Sequence, residues 1–369
     1  MLAYKMLSFR SCTRLPLFHL YHKRYYSMTK ERVCIIGSGN WGSAVGKIVG
    51  ENVLKHQDLF ESEVRQWVFE ENFKGEKLTD VINRERENPK YLPGIKFTPN
   101  IKAVPDLVEA SRDASVLVFV LPHQFVREVC EQMKDHIAPQ AKAISLIKGL
   151  EIKPEGVTLF SEEIANKLGI KVAALSGANI ADEVARERFC ETTIGSRSEE
   201  DGQLFFKLFN TDYFHVNVIR DYVGVELCGA LKNVVAVGAG ISDGLGYGSN
   251  TKAAIIRLGL MEMRKFGQTF FGTVEDTTFF ESCGIADLIT TCSGGRNRKV
   301  AEAFAKTKKP IEQLEAELLN GQKLQGTLTA QEVHEFLVAR QMTKEFPLFE
   351  TVYRIVYENA PLESIVCDI

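Results

Sequence analysis

Little in the sequence would staple the chain, hold a metal or draw it onto nucleic acid. The 8 cysteines stand apart at positions 12, 34, 130, 190, 228, 283, 292 and 367. None form Cys-x-x-Cys and none share zinc-site spacing with histidines, which argues against a disulfide scaffold and a structural metal site. They read as reduced thiols that mostly fill core. Charge of one sign is also missing: 45 lysines and arginines face 48 acids, for a net charge of -3. That balance gives no reason to expect nucleic acid as the main partner. No apolar run reads as long enough to span a bilayer. With 45% hydrophobic and 25% charged residues in 369, the chain has the composition of a soluble globular protein with room for two domains.

Acidic residues are absent from the first 30 positions, which hold Lys5, Arg10, Arg14, Lys23, Arg24 and Lys30 among hydroxyl and large apolar residues. This is the composition of a mitochondrial transit peptide, with Arg24 shortly before a cut ahead of Ser27. A disordered basic tail is the alternative. Translation from Met28 would give a cytosolic form. Without residues 1–27 the 45 cations fall to 40 against the same 48 acids, so the net charge becomes about -8. The expected organisation is a presequence over 1–27, a domain of alternating strands and helices over 28–218 and a helical domain over 219–369.

What is present begins with "RVCIIGSGNWGSAVGKIVGEN". A short β-branched run, Val33 to Ile36, leads into Gly37-Ser38-Gly39-Asn40-Trp41-Gly42 and then an apolar helical pattern. This is G-x-G-x-x-G between a strand and a helix. Gly37 allows the tight turn, Gly39 lets a pyrophosphate approach the backbone, and Gly42 lets the helix pack on the sheet. Free amides at the helix start would face the phosphates. A tight turn without a ligand is the bland alternative. Further apolar strands are expected at "VRQWVFEE", at Val116 to Leu121, at "AKAISLIKGLE" ending at Lys148, and at "KVAALS". Helical patterns separate them, so the reading is a doubly wound parallel sheet.

Ligands of such sheets sit at the carboxyl ends of the strands. That rule selects Phe69, His123 to Phe125, Lys148 and Asn179. Phe69 and Phe125 could flank a cofactor or fill core. Glu70 and Glu71, with no arginine beside them, favour NAD over NADP. Glu70 lies 33 residues after Gly37, beyond the usual spacing of about 20, and "ENVLKHQDLFESE" reads as an insertion that accounts for it. Neither glutamate is therefore assigned a ribose contact.

Past residue 218 strand signals fade and helical spacing takes over. From Leu227 to Ser242, in "ELCGALKNVVAVGAGIS", Lys232 is the only ionised side chain. It either snorkels to water or sits in a dry cleft, where it would lose its proton near neutral pH and work as an acid or base. Asp287 lies in a second apolar segment. The loop Ser293-Gly294-Gly295-Arg296-Asn297-Arg298 then opens a helix and suits a phosphate; a surface arginine-rich turn is the alternative. Lys323 and Gln325 lie in a Gly-flanked loop that reads either as a closing lid or as a plain connection.

Taken together, "GSGNWGSA", "WVFEE", "PHQF", "SLIKGLE", "GANIADEVA", "ELCGALKNVVAVGAG", "ESCGIADLITTCSGGRNRKVAEAF" and "NGQKLQG" resemble the soluble NAD-dependent glycerol-3-phosphate dehydrogenase family. The resemblance runs from about Arg32 to near the C-terminus. It implies a Rossmann-type domain followed by an all-helical domain, a homodimer, and reversible reduction of dihydroxyacetone phosphate to sn-glycerol 3-phosphate by NADH. By the same resemblance Lys232 is the proton donor and acceptor, and Lys148, Arg296 and Asn297 contact substrate. Asn179 and Asp287 shape the polar site. Cofactor contacts fall to Gly37, Ser38, Gly39, Asn40, Trp41, Gly42, Phe69, Phe125, Ala181, Arg296, Lys323 and Gln325. The chain departs from the family pattern at "LQGTLTA", where a proline-glutamate is more usual. Two other readings stay open: a related dehydrogenase for another phosphorylated compound, and a non-catalytic NAD(H)-binding regulator.

Overall fold

A computed structural model describes residues 30–319 and 323–369. The transit-peptide reading falls on residues 1–27 and lies outside the described residues. Eight strands form one sheet: β1 (Glu31–Ile36), β2 (Phe60–Trp67), β3 (Ile101–Val104), β4 (Val116–Phe119), β5 (Lys142–Ser145), β6 (Lys171–Ser176), β7 (Cys190–Gly195) and β8 (Phe214–Ile219). Their spatial order is β8-β7-β6-β5-β4-β1-β2-β3. The order reverses beside β1, which makes the β1/β4 junction the topological switch where such sheets take their ligand. β1 to β6 run parallel, while β7 pairs antiparallel with β6 and parallel with β8. The sheet is thus parallel except at that one junction.

Parallel sheets are covered on both faces. In β1, Val33 and Ile35 enter one buried apolar cluster while Cys34 and Ile36 enter another on the opposite face. The covering helices are α1 (Asn40–Lys55), α2 (Leu78–Glu85), α3 (Leu107–Ser111), α4 (Val126–Met133), α5 (Phe160–Leu168), α6 (Ala181–Ala185) and α7 (Glu199–Phe209).

After β8 the described chain is helical: α8 (Tyr222–Gly244), α9 (Ser249–Phe271), α10 (Asp287–Gly294), α11 (Arg296–Thr307), α12 (Ile311–Leu319), α13 (Gln325–Val338), α14 (Pro347–Tyr357) and α15 (Ser364–Cys367). α8 is the axis of this half. From Tyr222 to Ser242 every residue is buried, with helices packed around it and β6 and β7 of the sheet against one side. Its close neighbour is α11: a Cβ on Gly240 would lie 2.3 Å from the Arg298 carbonyl oxygen. A side chain there would push α11 away.

Some expectations need correction. α8 has 23 residues with a stretch of mean hydropathy 1.4, so among the described residues one helix is long and apolar enough to cross a bilayer. The structure instead buries it wholly in protein. "ENVLKHQDLFESE" does not form a separate loop. α1 runs on to Lys55 and β2 begins at Phe60, because buried Val53 and Phe60 extend both apolar patterns. β2 ends at Trp67, and Phe69 lies in the turn beyond it. β4 stops at Phe119 rather than Leu121, and β5 at Ser145, so Lys148 sits in the loop after its strand. The described cysteines are all free thiols, five of them fully buried.

Candidate active site

The glycine-rich turn is shaped as its sequence predicts. Gly37 has φ +122°, and a Cβ there would sit 2.4 Å from the Val120 oxygen, so only glycine fits between β1 and β4. Over Gly39 the space is open, with nothing within 4 Å of a built Cβ. α1 starts with no side-chain cap and no acid in its first turn. Its first amides are left for an outside acceptor, and the helix dipole favours an anion. Ser38 and Asn40 brace the turn: the Ser38 carbonyl accepts from Asn88 at 2.8 Å, and Asn40 donates to the Tyr91 carbonyl at 2.8 Å. Trp41 is half-buried and packs towards Phe214, with ring centroids 6.2 Å apart. Its side chain serves packing.

Phe69 and Phe125 are 69% and 47% exposed. The core-filling alternative for both is thereby removed, and large apolar rings standing in water at strand ends suit a flat ligand. Ala181 is buried at the start of α6. Glu70 accepts from the Thr79 hydroxyl at 2.6 Å, and Glu71 is paired with Lys90 and with the Tyr91 hydroxyl. Both carboxylates are thus engaged within the protein.

The polar centre brings together residues far apart in sequence. Lys232 on α8 is ion-paired with Asp287 at the start of α10, with only 5% and 3% of their side chains exposed. Lys148 reaches the same Asp287 oxygen at 3.3 Å and the Gly177 carbonyl at 3.4 Å. Two ammonium groups therefore share one carboxylate oxygen. Burial lowers the Lys232 pKa first and the Lys148 charge lowers it further, while Asp287 opposes both; the outcome is about 7. The snorkelling alternative is excluded by the burial.

Asn179, beside this centre, donates to the Glu191 carbonyl at 2.9 Å, and its buried Oδ1 has no partner in the protein. Such an orphaned acceptor suits a ligand donor. α11 begins at Arg296 after Gly295, again with no side-chain cap and no acid in its first turn. Gly294 still belongs to α10, so the expected loop shrinks to a single residue between helices. Arg298 is paired with Asp243 at 2.6 Å and Glu302 at 2.8 Å. Arg296 is exposed.

Asn297 is buried rather than open. Its Nδ2 donates to Asn233 Oδ1 at 2.9 Å, and its Oδ1 accepts from the Gly326 amide at 2.9 Å. Its side chain keeps one amide hydrogen and one oxygen lone pair for a ligand. Sequence reasoning passed over Asn233 and Thr291. Asn233 follows Lys232 directly, and Thr291 donates to the Asp287 carbonyl at 2.6 Å. A polar residue adjoining the lone lysine was the available signal. Lys323 is 75% exposed and paired with Glu315 at 2.8 Å. Gln325 opens α13 and donates to Thr329 at 3.3 Å. Among the described residues no three His, Cys, Asp or Glu side chains converge to hold a metal.

A glycine turn with open amides at the switch point, beside a buried lysine–aspartate centre under a helical domain, defines the two-domain, dinucleotide-dependent oxidoreductases. Comparison with known proteins narrows the class. Residues 32–201 match the model of the NAD-dependent glycerol-3-phosphate dehydrogenase N-terminus and residues 221–367 that of its C-terminus. The cytoplasmic glycerol-3-phosphate dehydrogenase [NAD(+)] of Bos taurus is 57% identical over 342 residues, 92% of this chain and 97% of that protein. Its Homo sapiens counterpart is 56% identical over 340 residues, 92% and 97%. The solved glycerol-3-phosphate dehydrogenase of Saccharomyces cerevisiae superposes with a TM-score of 0.88 at 47% identity, covering 91% of this chain and 98% of that one. The chain belongs to the NAD-dependent glycerol-3-phosphate dehydrogenase family. It is an oxidoreductase with NAD as its cofactor.

Proposed function

We propose that the chain interconverts dihydroxyacetone phosphate and sn-glycerol 3-phosphate with Lys232 as the general acid and base. The observation that carries this is the buried Lys232–Asp287–Lys148 centre, with the Lys232 pKa lowered to about 7. A catalytic pKa near the working pH serves proton transfer in both directions. NAD(H), when bound, accepts or supplies the hydride at the C2 carbon. Gly37, Ser38, Gly39, Asn40, Trp41 and Gly42 would hold its pyrophosphate through the turn and the α1 amides. Phe69, Phe125 and Ala181 would border it, and Arg296, Lys323 and Gln325 would reach it from the helical side.

Arg296 and the uncapped start of α11 bind the substrate phosphate, and that grip orients the reacting carbon. Lys232, as ammonium, stabilises negative charge growing on the C2 oxygen and gives up its proton to form the alcohol. As the neutral amine it takes the proton back in the oxidation. Lys148 helps polarise the carbonyl. Asp287 orients both ammonium groups and keeps Lys232 from losing its proton too early. Asn179 supplies its unpartnered Oδ1 to a substrate hydroxyl.

The domain division near residue 218, the homodimer and the cytoplasmic site with a mitochondrial form directed by residues 1–27 belong to the same proposal. They are supported by the family resemblance, by the cytoplasmic relatives, and by the acid-free basic start of the chain. Tag imaging of the full chain against a Met28 start tests the last point; identical distributions would sink it. For the chemistry, purified protein is mixed with NADH and nicotinamide absorbance is followed as dihydroxyacetone phosphate is added. Rapid oxidation that is lost in Lys232→Ala is expected. Wild-type turnover in the variant would remove Lys232 from its role.

A further inference from the structure

Two buried glutamates perform the same task in different places. α5 and α14 both start without a side-chain cap of their own. Glu262 on α9 supplies the missing cap for α14, accepting from the Leu348 amide at 2.7 Å and the Phe349 amide at 3.0 Å. Both elements lie within the helical half. Glu226 on α8 caps α5 with one oxygen: Oε1 accepts from the Ser161 amide at 3.1 Å, the Phe160 amide lies near enough to favour the charged form, and Oε2 has no partner in the protein. Here the acceptor comes from the helical half and the capped helix from the sheet domain.

The capped end of α5 leads to the active site. Phe160 is buried and stacks on His123, with ring centroids 5.2 Å apart. It also fills the space over Gly149, whose built Cβ would meet its ring at 3.3 Å. Gly149 follows Lys148, and His123 starts the turn that ends at Phe125. Glu226 itself precedes Lys232 on α8 by six residues, about 9 Å along the helix. One carboxylate thus connects the helix carrying Lys232 to the packing beneath Lys148 and the cofactor-side turn.

We infer that Glu226 is a positioning residue for the reaction: by capping α5 across the domain boundary it sets the spacing between Lys232 and Lys148. Its catalytic consequence rests on the Lys232 assignment proposed above; the cap does not. A helix start accepts a carboxylate well because free amides and the helix dipole both favour it. Truncation leaves the α5 amides buried and unsatisfied. The domains then shift against each other, and misplacement of reacting groups by about 1 Å costs on the order of 10²-fold in rate.

The test compares Glu226→Ala, Glu226→Asp and Glu226→Gln with Glu262→Ala and Lys232→Ala. Hydrogen exchange at the Phe160 and Ser161 amides, NADH affinity, kcat and KM are measured in each. In Glu226→Ala and Glu226→Asp, which withdraw the acceptor, those amides should exchange at least about tenfold faster. Their kcat should fall roughly tenfold or more, with NADH affinity within about twofold of wild type. Glu226→Gln keeps an acceptor oxygen and should restore both. Glu262→Ala should lower Tm and leave kcat unchanged. Unchanged exchange in the withdrawn variants, unchanged kcat in them, or an equal kcat loss in Glu262→Ala overturns the inference. Should Lys232→Ala turn over normally, the lysine assignment fails, while the exchange result still decides whether Glu226 caps α5.

Discussion

The glycine turn over residues 37–42 and the Lys232–Asp287 centre solve opposite problems. The turn keeps backbone groups available: its conformation is fixed by the 2.4 Å gap at Gly37, and its amides are left uncapped. The centre does the reverse. It removes side-chain charges from water until one proton becomes mobile near pH 7. A site made from backbone tolerates most side-chain changes that respect its shape. A site made from desolvated charge tolerates almost none, since each partner alone would be an uncompensated buried ion.

Substitutions sharpen that contrast. Lys232→Ala should lower kcat by about 10²- to 10⁴-fold while NADH binding, read by fluorescence titration, stays near wild type. Asp287→Asn comes next. Asp287 raises the Lys232 pKa, so its loss should move that pKa below about 7. Ketone reduction needs the ammonium and falls as pH rises through this pKa; alcohol oxidation needs the amine and rises there. Both limbs should therefore shift to lower pH in Asp287→Asn, and a pH–rate profile that does not move would break the comparison. The same change should cost less stability, by denaturant titration, than the roughly 3–5 kcal/mol of a stranded buried ion, because Lys232 escapes by losing its proton.

Arg296→Ala should raise KM for the phosphorylated substrate by about 10- to 100-fold through a lost charge-assisted contact. With NADH saturating, it should not affect unphosphorylated dihydroxyacetone. Gly37→Ala should affect kcat least. Forcing a Cβ into φ +122° costs about 1–3 kcal/mol, seen as lower Tm and weaker NADH binding with turnover preserved at saturating NADH. A Gly37→Ala protein with wild-type Tm would show that the turn is not backbone-limited.

The same contrast explains what was legible in the sequence. The turn is contiguous, so residues 33–49 carried strand, glycines and helix together. The lone lysine of α8 was also visible, because a charge in an apolar run has few explanations. Its partners were harder. Asp287 and Lys148 lie 55 and 84 positions away, and no local pattern says that they share an oxygen. Asn297 reads as a phosphate ligand because it follows Arg296, and no local pattern says that its amide also binds Asn233 and Gly326. Element ends were misplaced where apolar runs outlast their strands, as at Val120 and Leu121, buried beyond the end of β4. Glu226 carried no signal at all, since a cap supplied by another domain leaves no mark near the helix it caps.

The burial of α8 also has a timetable. A nascent chain is made at about 5–20 residues per second, so α11 follows the end of α8 by roughly 3 to 12 seconds. Through that interval the growing protein carries an uncovered 23-residue segment as long and apolar as a membrane span. The sheet domain, already synthesised, offers β6 and β7 as its first cover. Folding from the N-terminus is therefore a form of shelter, and any slowing of the first domain lengthens the time during which the catalytic helix is exposed to chaperones, aggregation and membranes.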